Sequence, residues 1–141
     1  MTNSAKKDYV LDTQVGFLMR RANQRHQALF SDHIDDITPT QFAALFKLCE
    51  LRETSQNALG RATAMDAATI KGVVDRLRRK GYIHNAADPN DQRRILLRPT
   101  ATAWELYETL IPKAHQITKA TLAPLSKGEQ TIFLTLLSKL I

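Results

Sequence analysis

The chain is short of cysteine, having one, Cys49, in 141 residues. An intramolecular disulfide framework is therefore excluded, and a lone thiol cannot complete a Cys/His set with zinc-ligand spacing. Long apolar runs are also missing. Nowhere do eighteen apolar residues follow one another, and MTNSAKKDYVLD at the N-terminus has no uninterrupted apolar core, so neither a bilayer-spanning helix nor a secretory leader is expected. The expected setting is a reducing cytoplasm, with no membrane partner. Catalytic motifs are equally scarce: there is no G-x-S-x-G elbow, no Gly-rich phosphate loop and no H-E-x-x-H, and the four histidines are scattered. No enzyme activity, metal or cofactor is expected. Repeats, low-complexity segments and linkers are absent as well.

What is present is a core and a charge. A hydrophobic content of 43% over this length suits one globular domain. The net charge is +6, with an isoelectric point near 9.7, which calls for an acidic partner without naming it. The excess is concentrated. Between Gly60 and Arg98 nine Lys/Arg (61, 71, 76, 78, 79, 80, 93, 94, 98) face four Asp (66, 75, 88, 91), while the rest of the chain carries eleven basic and ten acidic groups. The acidic partner is expected at this central stretch.

Helical periodicity opens the chain. From Asp8 to about His33, Leu11, Val15, Leu18, Ala22 and Leu29 form one apolar row and Val10, Phe17 and Ala28 a second, implying two buried faces. In ITPTQFAALFKLCEL, Thr38 is the expected N-cap, Pro39 sits in the first turn and Gln41 takes the capping-box position, for a helix to about Leu51. Ser55 caps a short helix over 55–63. Asp66 caps a fourth, whose Ile70, Val73, Val74 and Leu77 face inward and which stops at Gly81. Tyr82–Ala86 and Arg93–Arg98 read as strands around an Asp88–Asp91 turn. From Thr100 helical periodicity returns, with Pro112 expected to kink the helix, and Ser126 caps a last amphipathic helix.

Two short helices followed directly by a β-ribbon make a winged helix-turn-helix, so the fold class is mainly α with a small β-hairpin. The helix from Asp66 to Lys80 is sized for a major groove of double-stranded DNA. Its N-terminal residues offer Ala67, Ala68 and Thr69 for apolar contact with thymine methyls and Lys71 for guanine or phosphate; Arg76 and Arg78 supply further charge. At the ribbon, Arg93 or Arg94 is positioned to enter the negative, narrow minor groove. Asp91 beside a polyanion makes sense as a brace, in a salt bridge to Arg93 or to a helix arginine such as Arg76. Taken alone, RLRRKG is an ordinary solvated helix end and the ribbon arginines are ordinary edge-strand charges; the coincidence of helix pair, ribbon and charge excess favours DNA.

Over nearly its whole length the chain resembles the MarR (multiple antibiotic resistance regulator) family of bacterial transcription factors. The resemblance is carried by TPTQFAALFKL, by DRLRRKGYI at Asp75–Ile83, and by DPNDQRRILLRPT, whose Asp-x-Arg falls on Asp91 and Arg93. It implies a single MarR-like domain over 1–141, with dimerisation helices at 8–33 and 100–141 and the winged helix-turn-helix at 38–99. It also implies a homodimer, which would cover the second apolar row, and a wing arginine in the minor groove with the aspartate as its brace. The family mostly represses genes and releases DNA when a small aromatic compound binds.

GFLMRRANQRHQALF further resembles members that sense small aromatic acids. Arg20, Arg21 and Arg25 offer planar donors for an anion, and His26 lies beside an apolar row. His26 is either a ligand contact or a satisfied core residue, and the arginines are either ligand contacts or intersubunit ion pairs. Phe17, Phe42 and Trp104 read as core or pocket wall rather than specific contacts. Members that sense peroxide do so through a cysteine early in the first helix; Cys49 lies elsewhere and reads as a small buried hydrophobe. The expected function is a ligand-responsive repressor. The alternatives are a MarR-like activator and a winged-helix protein-interaction module without specific DNA binding.

Overall fold

A computed structural model describes residues 8–141; residues 1–7, part of the stretch scanned above for a leader, lie outside the described residues. The elements are a 3-10 turn at Leu11–Thr13, α1 (Val15–His33), α2 (Pro39–Leu51), α3 (Gln56–Ala62), α4 (Ala67–Arg79), the antiparallel hairpin β1 (Ile83–Asp88) and β2 (Asp91–Pro99), α5 (Ala101–Leu122) and α6 (Lys127–Ser138). Two compact units result. One is Ile34–His115; the other is the chain up to His33 together with Gln116–Ile141, so the boundary falls inside α5.

Local chemistry starts the helices. Thr38 Oγ1 accepts from the Gln41 amide while the Gln41 side chain accepts from the Thr38 amide, closing the expected capping box, and Ser126 with Glu129 does the same for α6. Ser55 and Asp66 cap α3 and α4 through the amides of Ala58 and Thr69. Gly81 ends α4 at φ +84, a left-handed conformation that disfavours side chains. The first helix is a correction. It starts at Val15 rather than Asp8, because Thr13 and Gln14 turn their side chains onto the Val10 carbonyl and the chain runs extended at Gln14. α5 continues through Pro112 as one helix.

In the Ile34–His115 unit, Leu45, Leu48, Leu59, Ile70, Val74, Leu77, Leu97 and Leu110 are buried, and the four apolar positions expected on α4 all face this core. Thr54 exchanges both backbone hydrogen bonds with Leu97, fastening the α2–α3 loop to the hairpin base. The strands run two residues closer to the turn than expected, leaving a two-residue tip, Pro89–Asn90. In the other unit Phe30, Ile117 and Leu122 are buried. The two apolar rows expected to be covered are not covered within one chain: Val10, Leu11, Val15 and Leu18 are all at least half exposed, and α6 exposes Ile132, Phe133, Leu134 and Leu136. Among the described residues no helix is long and apolar enough to cross a membrane.

Candidate nucleic-acid interface

The start of α4 is built to be presented. Asp66 accepts from the Thr69 amide at 2.7 Å, and that bond holds its carboxyl below the ordinary 3.8. Ala67, Ala68, Thr69 and Lys71 follow, all exposed. α3 approaches α4 closely at Gly60: a Cβ there would lie 3.0 Å from Ile70 Cγ2 and 3.2 Å from the Met65 carbonyl. A glycine inside a short helix was the signal for this approach, and sequence reasoning missed it.

Lys71 Nζ lies 3.1 Å from Asp75 Oδ2 with its side chain 69% exposed, a weak pair that phosphate can outbid. Lys71, followed by Arg78, holds the Asp75 carboxyl below its ordinary range. Arg76 and Arg79 are exposed and, among the described residues, their side chains make no hydrogen bond or ion pair. Arg78, expected beside them as a DNA contact, is different. Half-buried, it donates from Nη1 to Asp75 Oδ1 and from Nη2 to Asn85 Oδ1, each at 2.9 Å. Its guanidinium is spent inside the protein. Asn85 was not singled out in the sequence, since nothing local announces a partner seven residues away across a turn.

The hairpin tip concentrates its charge at a break in register. Ala87 pairs with Ile95 and Asp88 with Asp91, so Gln92, Arg93 and Arg94 have no residue opposite, and such a bulge re-aims side chains. Asp88 Oδ1 accepts from the Asn90 amide and closes the turn. The brace expected from Asp91 takes another form. Among the described residues it makes no ion pair with Arg93 or Arg76; Oδ1 accepts from the Arg93 backbone amide at 3.0 Å. A carboxylate two residues before an amide closes an Asx turn more readily than it reaches a solvated guanidinium. The two arginines now separate: Arg94 Nη2 lies 3.3 Å from Ser55 Oγ, while the Arg93 guanidinium has no hydrogen bond among the described residues.

The residues expected to meet a ligand divide between the units. On α1, the Arg21 guanidinium lies 5.9 Å from the Phe17 ring centre, a cation–π contact, and Arg20 is exposed. Arg25 is occupied: it donates to the carbonyls of Ala120 and Thr121, where α5 ends and its carbonyls lack partners. His26 Nδ1 shares a 2.8 Å hydrogen bond with Thr121 Oγ1 and borders a cavity of about 410 Å³, lined also by Met19, Ala22, Phe133 and Leu137. Phe17, Arg20 and Arg21 are not on that lining. Phe42 belongs to the other unit, stacked on Phe46 at 4.0 Å, with Tyr107 and Trp104 continuing the aromatic row. Cys49 is buried, and burial pushes its thiol up to about 11, which leaves it protonated and unreactive at neutral pH.

This geometry has close counterparts. The family model for the MarR family matches residues 37–95. The transcriptional repressor NicR of Pseudomonas putida is 38% identical over 135 residues, 94% of this chain and 85% of its own. A probable transcriptional regulator from Pseudomonas aeruginosa superposes with a TM-score of 0.91 at 49% identity, covering 94% of this chain and all of its own. BpsR of Bordetella bronchiseptica, whose DNA binding is regulated by 6-hydroxynicotinic acid, superposes with a TM-score of 0.89 at 36% identity, over 94% of this chain and 96% of its own. A winged helix-turn-helix with a recognition helix that ends in basic residues and an arginine-bearing hairpin, in a chain with these relatives, is a transcriptional regulator and not an enzyme: it belongs to the MarR family.

Proposed function

We propose that this regulator is a cytoplasmic homodimeric repressor that binds a pseudo-palindromic operator and is released by a small aromatic acid. The observation that carries the DNA part is the state of the basic groups in the Ile34–His115 unit. Ala67, Ala68, Thr69 and Lys71 are presented at the start of α4, and the guanidiniums of Arg76 and Arg79 on that helix and of Arg93 on the hairpin are without a hydrogen bond or ion pair among the described residues. Arg78 and Asp91 shape that surface instead of touching DNA. A neutral or acidic recognition helix and hairpin would favour a protein-interaction module, and a stretch with nine basic and four acidic residues opposes it. NicR, named a repressor, favours repression over activation.

Dimerisation is supported by the exposed apolar rows of the N-terminal segment and α6, which a second copy would cover. The effector class is supported by BpsR and its 6-hydroxynicotinic acid, and by Arg20 and Arg21, the α1 guanidiniums left over once Arg25 is spent on α5. Phe17 stands beside Arg21 on α1, and His26 is on the same helix at the cavity bordered by Met19 and Phe133.

Two recognition helices related by a two-fold axis enter successive major grooves on one side of the duplex, so the half-sites should be centred about one helical turn apart. Selection of duplexes from a randomised pool, followed by footprinting, tests this. Protection of two such half-sites is expected, and protection of a single one defeats the dimer reading.

A further inference from the structure

We infer that Arg78 and Asn85 form a positioning lock that sets the angle of the hairpin on the recognition helix, so that the two grooves are engaged together. Asp75 sits on α4 between Lys71, four residues before it, and Arg78, three after it. Its Oδ2 takes Lys71 at 3.1 Å and its Oδ1 takes Arg78 at 2.9 Å. The other arm of Arg78 crosses to Asn85 on β1 at 2.9 Å. Among the described residues this is the side-chain hydrogen bond that joins α4 to β1, and the Arg78 Nε between the two arms is buried without a partner. The planar fork of a guanidinium holds two acceptors at a fixed angle, which an ammonium cannot do.

The lock spans the turn between α4 and β1. The backbone there passes through Gly81 at φ +84 in a turn closed by the Gly81 and Tyr82 amides, which donate to the Arg78 and Leu77 carbonyls, and by Thr100 Oγ1, which donates to the Gly81 carbonyl; Arg78 and Asn85 add a side-chain tie across it. On one side of that turn are Thr69 and Lys71; on the other, at the far end of the hairpin, is Arg93. Major- and minor-groove contacts can form together only if the angle between helix and hairpin is held, and a groove contact displaced by an ångström loses most of its value. The fork does a second thing. When Lys71 turns from Asp75 to DNA, that carboxylate would face a polyanion unpaired; Arg78, anchored by Asn85, stays and keeps it neutralised.

The inference rests on the operator-binding reading, and the test separates the two. Full-length wild-type protein is first used to select a duplex from a randomised pool; if it selects none, the operator-binding reading fails and the lock fails with it. On the selected duplex, Asn85→Ala keeps the net charge and Arg78→Lys keeps the charge while losing the fork. Both should bind about tenfold more weakly, the loss of roughly one groove contact. Hydroxyl-radical protection at the minor-groove positions should disappear while major-groove protection against methylation persists, and affinity for a random duplex should be unchanged. A merely structural role would move both protections together or neither, and that pattern overturns the lock. So does the electrostatic pattern: Arg78→Lys binding like wild type, with Arg78→Ala lowering the slope of log affinity against log salt by about one, the signature of one phosphate contact. Asn85 is exposed, so its variant tests the lock even where an Arg78 variant unfolds.

Discussion

An arginine serves DNA only to the extent that the folded protein leaves it free. Arg93 and Arg94 are neighbours of identical chemistry, and only Arg94 has an internal partner, Ser55 Oγ at 3.3 Å. Turning to the minor groove costs Arg94 that bond, whereas Arg93 gives up nothing but water. Arg93→Ala should therefore weaken operator binding by at least ~1 kcal/mol, and by more than Arg94→Ala does, with Lys139→Ala as a control outside the basic stretch. Fluorescence anisotropy at one fixed salt concentration measures all three. Equal small losses would mean that the hairpin contributes diffuse charge and no groove contact. The choice between the two arginines was not legible in the sequence, because it depends on Ser55, brought near by folding from thirty-nine residues away. The same holds for Arg78, whose commitment to Asn85 turns a presumed DNA contact into a brace, and for Asp91, which serves the Arg93 amide instead of its guanidinium.

Whole elements were far more legible, for a physical reason. Thr38–Gln41, Ser55–Ala58, Asp66–Thr69 and Ser126–Glu129 are closures over three residues, so the sequence that encodes them contains both partners. The start of α1 escaped the same reasoning, since apolar spacing marks a face and does not reveal that Thr13 and Gln14 compete for the Val10 carbonyl. The packing of α3 on α4 was hidden too, and it makes a sharp demand at Gly60. A methyl group there meets Ile70 at 3.0 Å and a backbone carbonyl at 3.2 Å, and the carbonyl cannot rotate away as a side chain can. Gly60→Ala is expected to cost about 1–3 kcal/mol through overpacking. Gly128→Ala, in α6 with nothing within 4 Å of the added carbon, should cost nothing and gain up to ~1 kcal/mol in helix propensity. Urea denaturation of the two variants distinguishes them. A Gly60→Ala protein as stable as wild type would mean that α3 and α4 separate easily, and the presentation of Thr69 and Lys71 would then need another explanation.

For the whole molecule the question is how a ligand reaches the DNA equilibrium. The chain separates its chemistry between two units: Arg76, Arg79 and Arg93 belong to Ile34–His115, Arg21 and His26 to the other. An effector that weakens DNA binding must bind the DNA-incompetent conformation more tightly, and a tenfold loss of operator affinity needs about 1.4 kcal/mol of such preference. If guanidinium groups hold the effector, its carboxylate provides much of the affinity through charge-assisted hydrogen bonds, and the corresponding amide should release the operator far less well. Arg21→Ala and His26→Ala should blunt release by the acid and leave operator affinity without ligand nearly unchanged. Arg25→Ala should behave differently, since its guanidinium holds the Ala120 and Thr121 carbonyls at the end of α5, and its loss should lower thermal stability. The measurement is a titration of the protein–operator complex, followed by anisotropy, with 6-hydroxynicotinic acid first and then benzoates, hydroxybenzoates, cinnamates and other pyridine carboxylates, each paired with its amide. Were acids and amides to act alike, or were no aromatic acid to release DNA at millimolar concentration, Arg20 and Arg21 would be reassigned to the proposed contact between two copies of the chain, which the exposed apolar rows favour.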